Sequence, residues 1–333
     1  MNSGKQVVLG VDLGSTKIQV GAVLANGQVE MARKYPVCRD SQEDSISSLQ
    51  NAISAFLQEW DGPFPVAIGV GLVGHIDREK GIWVHSMNAR ISEPVPIADM
   101  LREQFQVPVF VDNDVHCATL AECYFGIGRI SKYFLMINVG TGIGFNAVDN
   151  GRIIRGVANG AGEFGHMSVE SDGMLCQCGF FGCLENIAGG AALIQQAEQL
   201  LPLYPDSSLR PLAGTDALHS ESIFQAASQG DPMAMRIARR AVKALGIGIV
   251  NLTNLFNPEY IVLAGSVMRN EWYVGHVKKF VYDNTLLATM NCLRGMGPSQ
   301  LNVSAVGMYG AAALCFEPQD IQNVNTIVEA PEV

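Results

Sequence analysis

Val11-Asp12-Leu13-Gly14-Ser15-Thr16-Lys17 closes an apolar run on a carboxylate and then turns on a glycine. Ile137-Asn138-Val139-Gly140-Thr141-Gly142 repeats the pattern later in the chain. Each passage leads into a second strand-like run and then a turn dipeptide, Asn26-Gly27 after the first and Asn150-Gly151 after the second. Asn-Gly between apolar runs is a strong hairpin signal. Together they read as a weak internal duplication, and duplication bears on the fold before any other signal. Two copies of strand, glycine turn and strand predict two related α/β lobes facing one cleft. In such a turn glycine lets a phosphate approach the backbone, while hydroxyls and amides supply donors. A carboxylate at the strand end, here Asp12, could hold Mg²⁺ through water. An ordinary hairpin is the competing reading of either copy alone, and the echo favours the phosphate turn. Neither copy is a Walker P-loop, because the Gly-Lys-Ser/Thr ending is missing.

Working outward, strands are predicted over 6–12, 18–24, 65–73, 109–111 and 133–139. Apolar residues at helical spacing predict a helix over 44–60. A further helix over 115–124 is opened by Asn113-Asp114. The second half reads as more helical, over 191–201, 222–228 and 233–256. The last of these is long enough to be core or a subunit interface. A buried-type strand over 260–264 ends at Gly265, and a small-residue helix starts near Gly307. Asn113-Asp114 carries two readings. Asp is a good N-cap, and it is also the type of carboxylate that takes a proton from a substrate hydroxyl. Spacing alone favours the cap.

A chain of 333 residues suits two domains. With 48% hydrophobic and 16% charged residues it is a globular protein. A net charge of -10 argues against a nucleic-acid binder, which usually carries a basic face. The first residues run straight into a strand, so no signal peptide is expected, and no helix-turn-helix precedes it. Apolar runs are broken well short of a membrane span. A cytoplasmic protein is therefore expected. Among the eight cysteines, Cys38, Cys117, Cys123, Cys292 and Cys315 are scattered and read as reduced, mostly buried thiols, with Cys292 and Cys315 left open to another state.

The other three form the most specific motif. Gly162-Glu163-Phe164-Gly165-His166 is followed by Cys176-Gln177-Cys178-Gly179-Phe180-Phe181-Gly182-Cys183-Leu184-Glu185. His166, Cys176, Cys178 and Cys183 are a closed tetrahedral zinc set, with Gly179 and Gly182 for the tight turns. Four protein ligands leave no open position, so the metal is structural. Glu163 and Glu185 bracket the loop as two carboxylates in fixed places. The remaining histidines, His75, His85, His116, His219 and His276, read as structural. Arg236, Arg239 and Arg240 read as one solvated helix face.

Glu-x-Gly-His followed by Cys-x-Cys-Gly-x-x-Gly-Cys-x-Glu resembles the signature of the ROK family (repressors, open reading frames and sugar kinases). The resemblance spans 12–17, Asn113-Asp114, Gly140-Thr141-Gly142, the cluster, Asn257-Pro258 before the strand to Gly265, and 307–313. It implies a two-lobed actin/hexokinase-like (ribonuclease H-like) ATPase fold with a central cleft. The smaller α/β lobe would take 1–118 and about 306–333, and the larger 119–305 with the zinc loop. The resemblance further implies an ATP- and Mg²⁺-dependent kinase that phosphorylates a hexose hydroxyl, usually at carbon six. Asp114 would be the catalytic base. Asn88, Asn113, Glu163, His166 and Glu185 would contact the sugar. Asp12, Gly14, Ser15, Thr16, Lys17, Gly140, Thr141 and Gly142 would serve the nucleotide phosphates, and Gly265 the adenosine side. Zn²⁺ would sit on His166, Cys176, Cys178 and Cys183. Family habit suggests a homodimer, while the acidic charge and the broken apolar runs argue against nucleic acid or membrane as partner. The chain departs from the family at Val73, where proline is common, and at Ala89-Arg90, where a tryptophan often follows the asparagine. It departs again at Ala264-Gly265-Ser266, where a glycine run is usual. Glucose is the default sugar; N-acetylglucosamine, N-acetylmannosamine, mannose, allose and fructose stay open. The rival reading is a non-catalytic sugar-sensing regulator of the same family.

Overall fold

Glycine decides how the first sheet is covered. Gly10 and Gly69 lie on adjacent strands, and a side chain at either would run into the backbone of the small-residue helix near the end of the chain, at Met308 O and Ala311 O. That helix can lie this close only because both strands lack a Cβ there. The computed structural model describes residues 6–14, 17–301 and 305–316. These divide into two compact units, one of Met1–Arg129, Arg155–Ala161 and Gln300–Val333, the other of Ile130–Ile154 and Gly162–Ser299.

In the first unit, β1 (Val7–Leu13), β2 (Lys17–Leu24) and β3 (Val29–Pro36) form an antiparallel meander. The Asn26-Gly27 turn joins the second to the third, with Gly27 at φ 85°. α1 (Gln42–Glu59) begins at Ser41, whose hydroxyl accepts the Asp44 N–H as an N-cap should. β4 (Ala67–Leu72) then joins the sheet parallel to β1. A small hairpin, β5 (His75–Asp77) and β6 (Ile82–His85), precedes α2 (Ile97–Phe105). β7 (Val109–Asn113) is parallel to β4 and runs directly into α3 (Asp114–Phe125). The sheet order is β3-β2-β1-β4-β7. Its core includes Leu9, Val11, Ile18, Val20, Ile53 and Phe56.

The second unit repeats the plan. β8 (Phe134–Val139), β9 (Ile143–Asp149) and β10 (Arg152–Ile153) make the meander. Its second turn is Asn150-Gly151, with both residues at positive φ (48° and 76°). α4 (Glu185–Ala188), α5 (Gly190–Leu200), α6 (Ser220–Ser228) and α7 (Pro232–Phe256) follow. β11 (Tyr260–Ala264) is parallel to β8. After α8 (Glu271–Asn284) and α9 (Leu287–Met290), β12 (Gly295–Pro298) closes the order β10-β9-β8-β11-β12. α10 (Val306–Ala313) returns to the first unit. The duplicated sheet gives the two related lobes that the glycine turns predict, in the actin/hexokinase-like plan that the family resemblance implies.

Local expectations meet two corrections. α7 is core along most of its length, with Ile237, Ala241, Leu245, Ile249 and Leu252 buried in one stripe. On that helix Arg240 is not merely solvated: it grips both oxygens of Glu170, Nε to Oε1 at 3.1 Å and Nη2 to Oε2 at 2.6 Å. The scattered cysteines are all free, yet Cys38 and Cys292 are exposed. Among the described residues no helix is long and apolar enough to cross a membrane.

Candidate functional site

The first unit gathers its predicted residues at the carboxyl ends of parallel strands, where α/β sheets bind ligands. Register pairs Asp12 with Gly71, Gly71 with Asp112, and Leu72 with Asn113. Asp12 and the Asn113-Asp114 pair therefore share one sheet edge. Gly14 donates its N–H to the Lys17 carbonyl at 3.0 Å, closing the first glycine turn. Ser15 and Thr16 lie outside the described residues. A Cβ at Gly307 would lie 2.4 Å from the Asp12 carboxyl, so the start of α10 seats directly on that carboxylate.

Asn113 is the N-cap of α3, its Oδ1 accepting the Val115 N–H at 2.8 Å. Its Nδ2 donates to the Gly74 carbonyl at 2.9 Å. Its second amide hydrogen has no partner among the described residues. Asp114 is thereby relieved of the capping role that spacing gave it, and it stands as the first residue of the helix. Burial pushes its carboxyl up, against backbone hydrogen bonds and the charges of His116 and Arg39. Asp12 is pushed up to about 7, first by burial and then by the charge of Asp114, with Lys17 opposing. Two carboxylates that resist joint ionisation are a common device for holding a proton acceptor near neutral pH.

Asn88 sits on the loop between Ser86 and Ile91, which exchange hydrogen bonds at 3.0 and 2.8 Å. Ser45 of α1 donates to the Ala89 carbonyl at 2.7 Å and holds the loop at its centre. Arg39 is the residue that the sequence does not announce. Its Nη1 donates to the Asn88 carbonyl at 2.8 Å, and its Nη2 donates to the Gly14 carbonyl. One guanidinium thus ties the first glycine turn to the Asn88 loop. Its Nε is buried and has no hydrogen-bond partner among the described residues.

Beneath this edge, Asp112 is fully buried. His116 Nδ1 and Asn159 Nδ2 each lie 2.9 Å from its Oδ1. Arg155 donates to Oδ2. Burial opposes its charge, but His116, Arg155 and Arg78 together hold the carboxyl well below the usual range. His116 is thus a structural histidine, as a lone one usually is.

In the second unit, parallel pairing of Leu263 with Ile137 and Ala264 with Asn138 brings Gly265 beside the second glycine turn. Gly265 has φ 92°, and a Cβ there would lie 2.2 Å from the Val139 carbonyl oxygen. Gly140 donates to the Gly142 carbonyl at 3.0 Å, the counterpart of the Gly14 turn. His166, Cys176, Cys178 and Cys183 converge, their ligand atoms all within 4.8 Å of one another. Tetrahedral Zn–S bonds of about 2.3 Å place sulfurs about 3.8 Å apart. Cys178 and Cys183 sulfurs lie 3.5 Å apart, and His166 Nδ1 lies 3.7 Å from the Cys176 sulfur. The donor set fits a closed metal site. Gly179 and Gly182, at φ 91° and 71°, make its turns. The other ring nitrogen of His166 lies 4.0 Å from the carboxylate of Glu163, which is exposed. Glu185 places Oε2 on the Ile143 N–H at 2.7 Å, at the end of the second glycine turn.

The chain is 32% identical over 316 residues to a glucokinase of Thermotoga maritima, covering 94% of this chain and 98% of that one. It is 34% identical over 261 residues to the DNA-binding transcriptional dual regulator NagC of Escherichia coli, covering 78% of this chain and 63% of the regulator. A crystal structure of a ROK family glucokinase from Streptomyces griseus, in complex with glucose and AMPPNP, superposes with a TM-score of 0.77 at 29% identity. That match covers 92% of this chain and 98% of the other. With the ROK family model matching residues 8–317, this chain belongs to the ROK family.

Proposed function

We propose that this protein is an ATP- and Mg²⁺-dependent sugar kinase that phosphorylates a hexose hydroxyl, O6 of glucose or a related hexose. The observation that carries the reading is Asp114: a half-buried carboxylate with a raised pKa, at a helix start, on the same sheet edge as the Asp12-Gly14 turn. Full-length similarity to glucokinases supports it.

In this reading Asp114 accepts the proton of the sugar hydroxyl as its oxygen bonds to the γ-phosphorus and the bond to ADP breaks. Asn88, the remaining amide hydrogen of Asn113, Glu163, His166 and Glu185 hold sugar hydroxyls. Gly14, Ser15, Thr16 and Lys17 with Gly140, Thr141 and Gly142 hold phosphates, and Gly265 lies toward adenosine. Asp12 would hold Mg²⁺ through water, and that ion supplies positive charge to the phosphates. Zn²⁺ on His166, Cys176, Cys178 and Cys183 supplies rigidity, not reaction chemistry. The protein acts as a homodimer.

The test is ADP release from ATP and Mg²⁺ over a panel of hexoses and N-acetylhexosamines, with Asp114→Asn as control. Turnover on one sugar, lost in the variant, supports the reading and names the substrate. A folded protein that turns over none of them is a sugar-sensing regulator instead, the role that similarity to NagC would favour.

A further inference from the structure

The residues just after the cysteine cluster do more than end it. Glu185 follows Cys183 by two positions, and its Oε2 accepts the Ile143 N–H at 2.7 Å. Gly190 donates its N–H to the Gly140 carbonyl at 2.8 Å, and Ala191 donates to the Thr141 carbonyl at 3.1 Å. Three hydrogen bonds from 185–191 thus hold the second glycine turn, two at Gly140 and Thr141 and one at Ile143, the first residue of β9. The approach is close on both sides. A Cβ at Gly142 would lie 2.3 Å from Glu185 Oε2, and one at Gly190 would lie 2.6 Å from the Gly140 oxygen. The turn and its splint have no slack between them.

The splint is anchored by the cluster. Leu184 donates its N–H to the Met167 carbonyl at 2.9 Å, and Val169 donates to Gly182 at 2.9 Å. The loop itself carries little core. Leu175, Phe180 and Phe181 are exposed, and the inward sulfurs belong to Cys176 and Cys183. A loop of that kind draws its order from metal–ligand bonds, so metal binding there is folding energy for whatever the loop supports. Among the described residues the first glycine turn is held by Arg39 instead.

We infer that 185–191 is a splint for the second phosphate turn, with Glu185 as its positioning residue, so that filling the four-ligand site sets nucleotide affinity even when no sugar is present. This rests on the reading that Gly140–Gly142 faces nucleotide phosphates. A loop serving the sugar alone would leave nucleotide binding indifferent to the metal.

The experiment uses the full chain, loaded with zinc or stripped by chelation, with metal content measured and folding checked by circular dichroism. ADP binding is titrated by calorimetry without sugar. Stripped protein that stays folded should bind ADP at least about tenfold more weakly, and zinc should restore it. Glu185→Ala should keep its zinc yet bind ADP weakly and respond little to stripping. Glu185→Gln keeps an acceptor oxygen for the Ile143 N–H and should respond as the parent does. Equal ADP affinity in stripped and loaded parent protein would overturn the inference, as would a full zinc response in Glu185→Ala. If stripping unfolds the parent, the decision passes to the zinc-loaded variants, and parental ADP affinity in Glu185→Ala overturns the inference. Loaded parent protein that binds no ADP would overturn the nucleotide reading and this inference with it.

Discussion

Arg155 reaches the buried carboxylate of Asp112 with two nitrogens, Nε at 3.3 Å and Nη2 at 3.1 Å, both on Oδ2. Through this contact and that of Asn159, the segment Arg155–Ala161 belongs to the first unit although the chain on either side of it belongs to the second. Removing one partner of a buried ion pair strands the other charge. Asp112→Ala should therefore cost about 3–5 kcal/mol of unfolding free energy, read by urea denaturation. The pH dependence follows from the depressed carboxyl. Its stabilisation is complete above the ordinary aspartate range, about 3.9, and is lost as pH falls below that toward the lower folded value. The gap in stability between parent and variant should shrink on acidification from pH 6 to pH 3.

Asp12 should behave in the opposite sense. Its carboxyl is pushed up to about 7 by burial and by Asp114. A raised acid favours the fold while protonated, so this contribution is complete below about pH 3.9 and is lost as pH rises through 7. Asp12→Asn should melt at a higher temperature than the parent at pH 8, with little difference near pH 4, while sugar phosphorylation falls. Melting curves across pH decide it: equal gains at both ends would mean that the carboxyl is not strained.

Asp114→Asn should lower kcat by about 10²–10⁴ while sugar affinity is largely kept. Because burial raises the Asp114 carboxyl, the acid limb of kcat/KM in the parent should lie above the ordinary aspartate range. Parental turnover in the variant would remove Asp114 from the role of base.

Arg39→Met should raise KM for both sugar and ATP, since one guanidinium holds both the Asn88 loop and the Gly14 turn. Hydrogen bonds from a charged donor are worth about 1.5–3 kcal/mol. Arg39→Lys should recover only part of the loss, because an ammonium lacks the planar fork. Steady-state kinetics with each substrate varied in turn would show whether both constants move.

Cys178→Ser should fall below one zinc per chain by mass spectrometry and lose thermal stability. A full complement of metal in that variant would take Cys178 off the ligand set.

Strand ends, hairpin turns and the cysteine cluster were legible because their signals are local. Asn26-Gly27 and Asn150-Gly151 need no distant partner to make a turn. The cap at α3 was misplaced by one residue: Asn113 makes the bond, which releases Asp114. Arg39 was not legible because it binds two carbonyls, and every residue type offers a carbonyl. The attachment of Arg155–Ala161 was hidden for a similar reason, as a glycine-rich loop reads the same wherever it docks. α8 did leave a signal. Asn270 caps it, and the buried Tyr273, Val274, Val277 and Val281 recur at helical spacing. Gly275 and the Lys278-Lys279 pair thin that stripe enough to obscure it.

The glycine seat of α10 has a consequence for synthesis on the ribosome. β1 and β4 are among the earliest segments to emerge, yet the helix that lies against Gly10 and Gly69 emerges near the end. Until then one face of that sheet, where Val8 and Ala67 lie, has no lid. The second unit takes all its strands from residues 130–299, broken only by the segment Arg155–Ala161, and can close first. Folding order then runs against chain order, with the first unit kept waiting in a state whose long-range closure is slow and open to aggregation. Truncation before Val306 should trap the first unit in that state, however complete the second unit is.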